Sequence, residues 1–234
     1  MRHARIERWS CADSPVHRRH AAARILATLS FLVSIATFRE GPIAVWPLFS
    51  ALLVVAILAA RLPVFALLKT AAAVLPFALC FAIVTAIAGD RRLAAQLVLR
   101  SYLSALAALW LVATTPVPEL IAGLEWLRAP RFLLQVMQFL YRYLIVLMEE
   151  AAVMAQARAA RAGTLRALHF RQAAGAAGVL FARSYSRAEA IHRAMLARGF
   201  DGRLPVFRRA RFTLADAAFV AGCVALAAGV RTLG

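Results

Sequence analysis

Arginines flanked by small residues mark the ends of two predicted helices. One helix closes within residues 154–163, where Arg158 and Arg161 are three positions apart and therefore share a face. The second closes at Arg198, and the Gly199 that follows suits a helix C-cap. Small neighbours let another protein's backbone come close, while a guanidinium can form a bidentate bond with a carboxylate. The pattern therefore suits protein docking, and ordinary capping of a helix by arginine explains it as well.

Acidic residues near these ends suit ion pairing better than catalysis. Glu149 and Glu150 are adjacent, so on a helix they point about 100° apart and do not easily share a substrate. We expect them to pair with nearby arginines, because opposite charges four residues apart commonly pair on a helix. Glu189 and Arg193 have that spacing. Ser186 and Glu189 also fit a capping box, which predicts that the second helix begins there.

The sequence shows no established pattern for a metal, a cofactor or a nucleotide. Cys11, Cys80 and Cys223 are far apart and form no CxxC pair, so neither a disulfide framework nor a zinc site is indicated. The five histidines show no HExxH spacing. A GxxxxGK[ST] loop is missing too, which predicts that this chain does not hydrolyse ATP. We expect no catalytic residue, no cofactor and no metal ligand in it.

The composition indicates an integral membrane protein. Hydrophobic residues make up 63% of the chain and charged residues 17%, against roughly 25% in soluble domains. A soluble domain cannot hide that much apolar surface. The formal charge of +17 raises the question of nucleic acid. Cytoplasmic segments of membrane proteins collect such charge, however, and few aromatic residues interleave the arginines of 158–211. We expect the lipid bilayer, and no nucleic acid, as a partner.

Apolar segments near the length of about 20 residues that a spanning helix needs are predicted to cross the membrane. These segments are 21–38, 43–60, 64–88, 97–115 and 213–230. Pro76 interrupts the third of them. Lys69 and Arg100 lie near span ends, where long side chains can reach the interface.

The distribution of positive charge predicts the orientation. The basic N-terminus, with Arg18, Arg19 and Arg24, and the Arg-rich block after residue 116 should both lie in the cytoplasm, so an even number of crossings separates them. A further apolar segment, 132–148, is therefore predicted not to cross the membrane. We expect it to lie buried against the base of the other helices.

The fold class predicted from these segments is all-α, a polytopic membrane helix bundle with long cytoplasmic helices, which the resemblance described below identifies as coupling helices. Residues 1–116 would hold a cytoplasmic segment and four spans, 117–212 these Arg-rich helices, and 213–234 the final span. The protein would then be a multi-pass protein with a cytoplasmic N-terminus and an external C-terminus.

Several motifs resemble the transmembrane T components of energy-coupling factor (ECF) transporters, and most of all their cobalt-type CbiQ branch. Ala197-Arg198-Gly199 is similar to the family's Ala-Arg-Gly signature, and Ala160-Arg161-Ala162 to its other triplet, with alanine where glycine is usual. Residues 14–18, SPVHR, resemble the SPxHR opening, although Arg19-His20-Ala21-Ala22 follows where the family usually has Leu-Asp-Pro-Arg. Tyr141-Arg142-Tyr143 resembles the stretch that leads into the first coupling helix. The resemblance covers nearly the whole chain in the same order.

The resemblance implies a non-enzymatic subunit that links two cytoplasmic ATP-binding subunits to a substrate-binding membrane subunit. It implies an inner (cytoplasmic) membrane location and docking of the ATPases at the two triplets, with Arg158 as a further candidate in the first. The substrate would be a transition-metal ion, with cobalt favoured, or a vitamin; nickel and biotin remain open.

Two other functions fit the sequence less well than this one. A membrane-embedded enzyme acting on a phosphorylated lipid or isoprenoid would need clustered carboxylates for magnesium, and the sequence has no DxxxD pattern. A self-contained permease would be expected to show internal pseudo-symmetry, which the sequence does not have.

Overall fold

The computed structural model describes residues 19–37, 45–161, 169–202 and 213–232. Within these ranges the chain forms α-helices and no strand, which confirms the all-α prediction. The helices are α1 (Ala21–Thr37), α2 (Val45–Ala59), α3 (Val64–Ala71), α4 (Leu75–Ile87), α5 (Arg91–Thr114), α6 (Val117–Trp126), α7 (Arg131–Arg161), α8 (His169–Ala197) and α9 (Leu214–Thr232).

Pro76 bends the third predicted span without ending it. A 3-10 turn, Ala72–Val74, separates α3 from α4, and Pro76 is the second residue of α4. Proline has no N–H, and its ring clashes with the carbonyl group four residues earlier, so a regular α-helix cannot run through this point. The tighter turn absorbs the conflict, and residues 64–87 stay helical as a whole.

The described chain divides into two compact units. The first contains α1 to α6 together with α9, and the second contains α7 with α8. The helix α6 belongs to the first unit, although its residues fall within the predicted coupling region 117–212. The assignment of that region to the cytoplasm stays a prediction.

The core of the first unit is apolar and aromatic. The rings of Phe31 on α1 and Phe49 on α2 meet edge to face, with centroids 5.8 Å apart. Trp110 on α5 donates its indole N–H to the carbonyl oxygen of Ala56 at 3.1 Å. This bond satisfies a donor that would otherwise be costly inside an apolar core. These contacts fix α1 and α5 against α2.

A glycine allows α6 to approach α1 closely. A Cβ atom added at Gly123 would lie 3.0 Å from the backbone nitrogen of Ala22 and 3.1 Å from the carbonyl carbon of Ala21. Backbone atoms cannot turn aside as a side chain can. Small residues at such contacts are the usual means by which membrane helices pack tightly.

Apolar helices long enough to cross a membrane confirm the multi-pass prediction. In the described chain these are Val64–Ile87, Arg91–Thr114 and Arg131–Ala157. The first two overlap predicted spans. The other predicted spans appear as shorter apolar helices, at Ala21–Thr37, Val45–Ala59 and Leu214–Leu226.

Most apolar side chains of the segment 132–148 are left uncovered by α8, the other helix of the second unit. The segment lies within α7, and only 6% of the apolar window of this helix is buried. Phe132 is 77% exposed and Leu140 is 63% exposed. That the segment lies against the base of the other helices, and that it does not cross the membrane, stay predictions.

Candidate functional site

The C-terminal end of α8 has a glycine cap that leaves its arginine exposed. Gly199 has a φ of +77°, and its N–H donates to the Leu196 carbonyl at 3.0 Å while the Phe200 N–H donates to Met195 at 3.0 Å. This pair of bonds is a Schellman motif, in which glycine adopts the left-handed conformation without strain. The predicted C-cap at Gly199 is confirmed. Ala197, Arg198 and Gly199 are all exposed.

The matching end of α7 is described in its backbone. The helix continues through Arg158 and is described as far as Arg161, and Ala160 is exposed. The side chains of both arginines, and Ala162 as a whole, lie outside the described part of the chain, as does the SPVHR segment at 14–18. Which arginine belongs to the first docking motif therefore stays a prediction.

Glu150 joins the two helices by ion pairs. Its Oε1 lies 3.3 Å from Nη1 of Arg183, and its Oε2 lies 3.1 Å from Nη1 of Arg187. The Glu150 side chain is 18% exposed, while those of Arg183 and Arg187 are 60% and 41% exposed, so the carboxylate is partly shielded and the guanidiniums face solvent. The expectation of ion pairing at this position is confirmed for Glu150, while Glu149 is exposed. The partners come from α8 and not from one turn away on α7, which the local sequence could not reveal.

The helices α7 and α8 run antiparallel. Gln135, near the start of α7, donates from Nε2 to the carbonyl oxygen of Gly202, which follows the end of α8, at 2.7 Å. Glu150, farther along α7, meets residues earlier on α8. Between these two contacts the helices leave a cavity of about 470 Å³. Its lining is largely apolar and includes Val136, Leu140, Tyr143, Ile191 and Met195.

The capping box predicted at Ser186 is wrong. The helix α8 begins at His169 and passes through Ser186, whose hydroxyl donates to the Ala182 carbonyl at 3.1 Å. A serine inside a helix can satisfy its hydroxyl on the carbonyl four residues earlier, so the pattern does not require a helix start. The predicted pair between Glu189 and Arg193 is present, at 3.5 Å.

Arg24 on α1 is buried, whereas the sequence predicted it only as part of the basic N-terminus. Arg24 is 1% exposed, and its Nη2 lies 2.6 Å from Oε2 of Glu119 on α6. Its Nη1 donates to the Thr114 carbonyl at the end of α5, and its Nη2 also donates to the Arg19 carbonyl at 3.2 Å. The sequence signal for this burial was the position of Arg24 inside an apolar run, because a cation there needs polar or charged partners. Arg24 ties α1 to the connection between α5 and α6.

The start of α9 carries one half of a capping box, which was not predicted: the acidic side chain reaches back to the residue before the helix. Oδ2 of Asp216 accepts from the N–H of Thr213 at 3.0 Å and from its hydroxyl at 2.7 Å. The Thr-x-x-Asp spacing is a variant of the pattern that signals a helix start. Oδ1 of the same carboxylate accepts from the N–H of His20 at 3.2 Å. One acidic side chain thus starts α9 and holds it to the beginning of α1.

The two cations near predicted span ends lie on α3 and α5, and their place at an interface stays a prediction. Lys69 is exposed in the last turn of α3. Arg100 donates from Nη2 to the carbonyl oxygen of Ala36, one residue before the end of α1, at 3.2 Å.

Among the residues that the structure describes, no group of three or more His, Cys, Asp or Glu side chains could hold a metal ion.

Comparison with known proteins identifies the family. Residues 13–206 match the family model CbiQ, described as cobalt transport protein. The cobalt transport protein CbiQ of Rhodobacter capsulatus is 33% identical over 114 residues, which are 48% of this chain and 47% of that protein. An uncharacterized protein of Methanocaldococcus jannaschii is 34% identical over 101 residues, which are 43% of this chain and 38% of that protein. The chain therefore matches less than half of the length of each curated relative. Since the family model covers most of the sequence, the chain is a multi-pass membrane protein that belongs to the CbiQ family of cobalt transport proteins.

Proposed function

We propose that this protein is the transmembrane coupling (T) subunit of an ECF-type importer. It would link two cytoplasmic ATP-binding subunits to a substrate-binding membrane subunit, in the inner membrane and with its N-terminus in the cytoplasm. Membership of the CbiQ family supports a role in transport. The substrate we propose is cobalt, on the printed description of the family and of the Rhodobacter capsulatus relative.

The observation that carries the proposal is the exposed Arg198 at the capped end of α8. The Schellman motif closes the helix on carbonyls of Met195 and Leu196 through backbone N–H groups. The motif therefore satisfies these carbonyls without the Arg198 side chain. Within the described residues this guanidinium has no hydrogen-bond or ion-pair partner. Capping alone does not explain the arginine, and a carboxylate on another protein would.

The surroundings of Arg198 fit an acidic groove on a partner. Ala197 and Gly199 are small and exposed, so a partner's backbone can approach on both sides of the guanidinium. Arginine gives such a groove a planar fork for a carboxylate, which lysine does not. The end of α7 offers a similar sequence around Arg161, which supports a second ATPase docked in the same way.

The test is reversal of charge at the two ends. Arg198→Glu removes the proposed charge partner, which typically costs about 2–5 kcal/mol and corresponds to roughly 30- to 5,000-fold in affinity. We expect Arg198→Glu to abolish cobalt uptake and to reduce co-purification of the ATPases, while the protein still inserts into the membrane. Arg161→Glu should act similarly and Arg158→Glu more mildly. The Arg161→Glu, Arg198→Glu double variant should lose the ATPases altogether.

Arg193→Glu is the matched control for this test. Arg193 lies on the same helix, is 76% exposed in its side chain and pairs only weakly with Glu189, so its reversal should leave uptake and ATPase binding nearly unchanged. If Arg198→Glu retains both activities at the level of the control, Arg198 does not dock an ATPase. Uptake of nickel or biotin in place of cobalt would contradict the proposed substrate.

A further inference from the structure

The Glu150 ion pairs lie midway between the two arginine-bearing helix ends. Arg161 follows Glu150 by eleven residues along α7, and Arg198 follows Arg187 by eleven residues along α8. With a rise of 1.5 Å per residue, each of these two helix segments, called an arm below, is about 16 Å long. Because the helices are antiparallel, the two arms point in opposite directions from the ion pair.

The pairing chemistry suits a single fixed contact between two long helices. Arg183 and Arg187 are four residues apart on α8, so their like charges repel each other. Glu150 compensates for this repulsion by giving one carboxylate oxygen to each guanidinium. Removing the carboxylate would therefore remove both ion pairs with α7 and leave two unpaired like charges on α8.

Few other polar contacts join the helices along the described residues. On the α7 side toward Arg161, no hydrogen bond or ion pair reaches the described part of α8 beyond Glu150. In the other direction Gln135 contacts Gly202, and the cavity lies between that contact and the Glu150 cluster. The Glu150 cluster thus joins the two helices on the side of the cavity toward Arg161.

We propose that Glu150, through Arg183 and Arg187, is a positioning residue that sets the separation of the two docking ends. This inference rests on the proposed function for its role in transport. Equal arms place Arg161 and Arg198 symmetrically about the ion pair, which suits two similar ATP-binding subunits. When one end moves, the ion pairs of Glu150 transmit the displacement to the other helix. Without these ion pairs each helix moves with its own ATPase, and a smaller part of the ATPase motion drives transport.

The geometric part is tested on the full chain alone. Spin labels are attached at Ala160→Cys and Ala197→Cys, both exposed positions, after Cys11, Cys80 and Cys223 are replaced by alanine. Pulsed electron paramagnetic resonance should give one narrow distance of about 30 Å, since each labelled position lies ten residues, or about 15 Å, from the ion pair. Glu150→Gln should broaden this distribution at least about twofold, since neutral pairs hold the helices less firmly. Glu149→Gln removes the same charge one residue away and should change nothing.

The role in transport is tested on the complex with its ATPases and substrate subunit in proteoliposomes. Glu150→Gln should retain ATPase binding and ATP hydrolysis, while cobalt uptake per ATP falls about 3- to 10-fold, or ~0.7–1.4 kcal/mol at 1.4 kcal/mol per decade. Reversing the pair, with Glu150→Arg and Arg187→Glu, should recover part of the loss. Each single reversal should be worse than the pair.

Several outcomes would overturn the proposal. An unchanged distance distribution in Glu150→Gln would show that the ion pair does not set the separation. Unchanged uptake per ATP would show that the separation does not matter for coupling, and loss of ATPase binding would show that Glu150 acts on docking itself. If the wild-type chain binds no ATPase, the proposed function fails, yet the spin-label measurement still decides the positioning role.

Discussion

Replacing Gly123 with alanine has two opposing effects on the stability of the fold. In an open helix this change stabilises by about 1 kcal/mol, because alanine has the higher helix propensity. At Gly123 the new methyl group would lie 2.9 Å from Cδ1 of Ile25, 3.0 Å from the Ala22 nitrogen and 3.1 Å from the Ala21 carbonyl carbon. The isoleucine can rotate away. The two backbone atoms cannot, so α1 and α6 must separate by a few tenths of an ångström.

The structure indicates that the clash exceeds the gain in propensity. Overpacking of this kind costs about 1–3 kcal/mol. Glu119 lies one turn before Gly123 on the same face of α6, so the separation also stretches its 2.6 Å bond to Arg24. We expect a net loss of about 1–2 kcal/mol, which for a chain of this size lowers the melting temperature by about 2–8 °C.

Thermal unfolding of the purified protein in detergent, followed by circular dichroism, measures this loss. Gly222→Ala in α9 is the matched control, because no atom lies within 4 Å of the Cβ position there. The control should unfold at or above the wild-type temperature. If Gly123→Ala behaves as the control does, the close packing of α6 on α1 is not a constraint and the reasoning is refuted.

Two further predictions concern the orientation and the buried arginine. Reporter fusions after Gly163 and after Gly234 should report opposite sides of the membrane, because five crossings place the coupling region inside and the C-terminus outside; the same side for both would contradict that topology. Arg24→Met should destabilise the protein by about 2–3 kcal/mol, less than the 3–5 kcal/mol for a fully buried pair because Glu119 is 39% exposed. Arg19→Met, which removes a 36% exposed cation 4.0 Å from Asp216, should cost well under 1 kcal/mol in the same melting assay, and an equal loss for both would contradict the role given to Arg24.

Features set by neighbours a few residues apart could be predicted from the sequence. The helical class follows from long apolar runs, and the Gly199 cap follows from a glycine after the last helical arginine. The pair between Glu189 and Arg193 follows from a spacing of four. In each case the cause and the effect lie within one continuous segment of the chain.

Contacts between distant segments could not be predicted in this way. Glu150 finds its partners 33 and 37 residues later, and Arg24 finds Glu119 after 95 residues. Nothing in one sequence says which of 28 basic residues will reach a given carboxylate. What covers the apolar segment 132–148 cannot be predicted for the same reason, since exposure depends on what packs against a helix.

The capping box shows how one local pattern has two structural outcomes. The Ser186 pattern lies inside α8. The Thr213 pattern was not predicted, and it lies at the start of α9. The difference is the preceding chain. Ser186 has a helical carbonyl four residues back to accept its hydroxyl, and Thr213 comes directly before the first residue of its helix.

The contact between His20 and Asp216 has a consequence for biogenesis. It joins the start of α1 to the start of α9 across 196 positions of the chain. At 5–20 residues per second, a ribosome takes about 10 to 40 s to synthesise the segment between them. Throughout that interval α1 is already available to the membrane while the carboxylate that will hold its first turn does not yet exist. The N-terminal helices must therefore persist in the bilayer as an incomplete assembly, exposed to insertases and membrane proteases, until the last helix arrives and closes the unit.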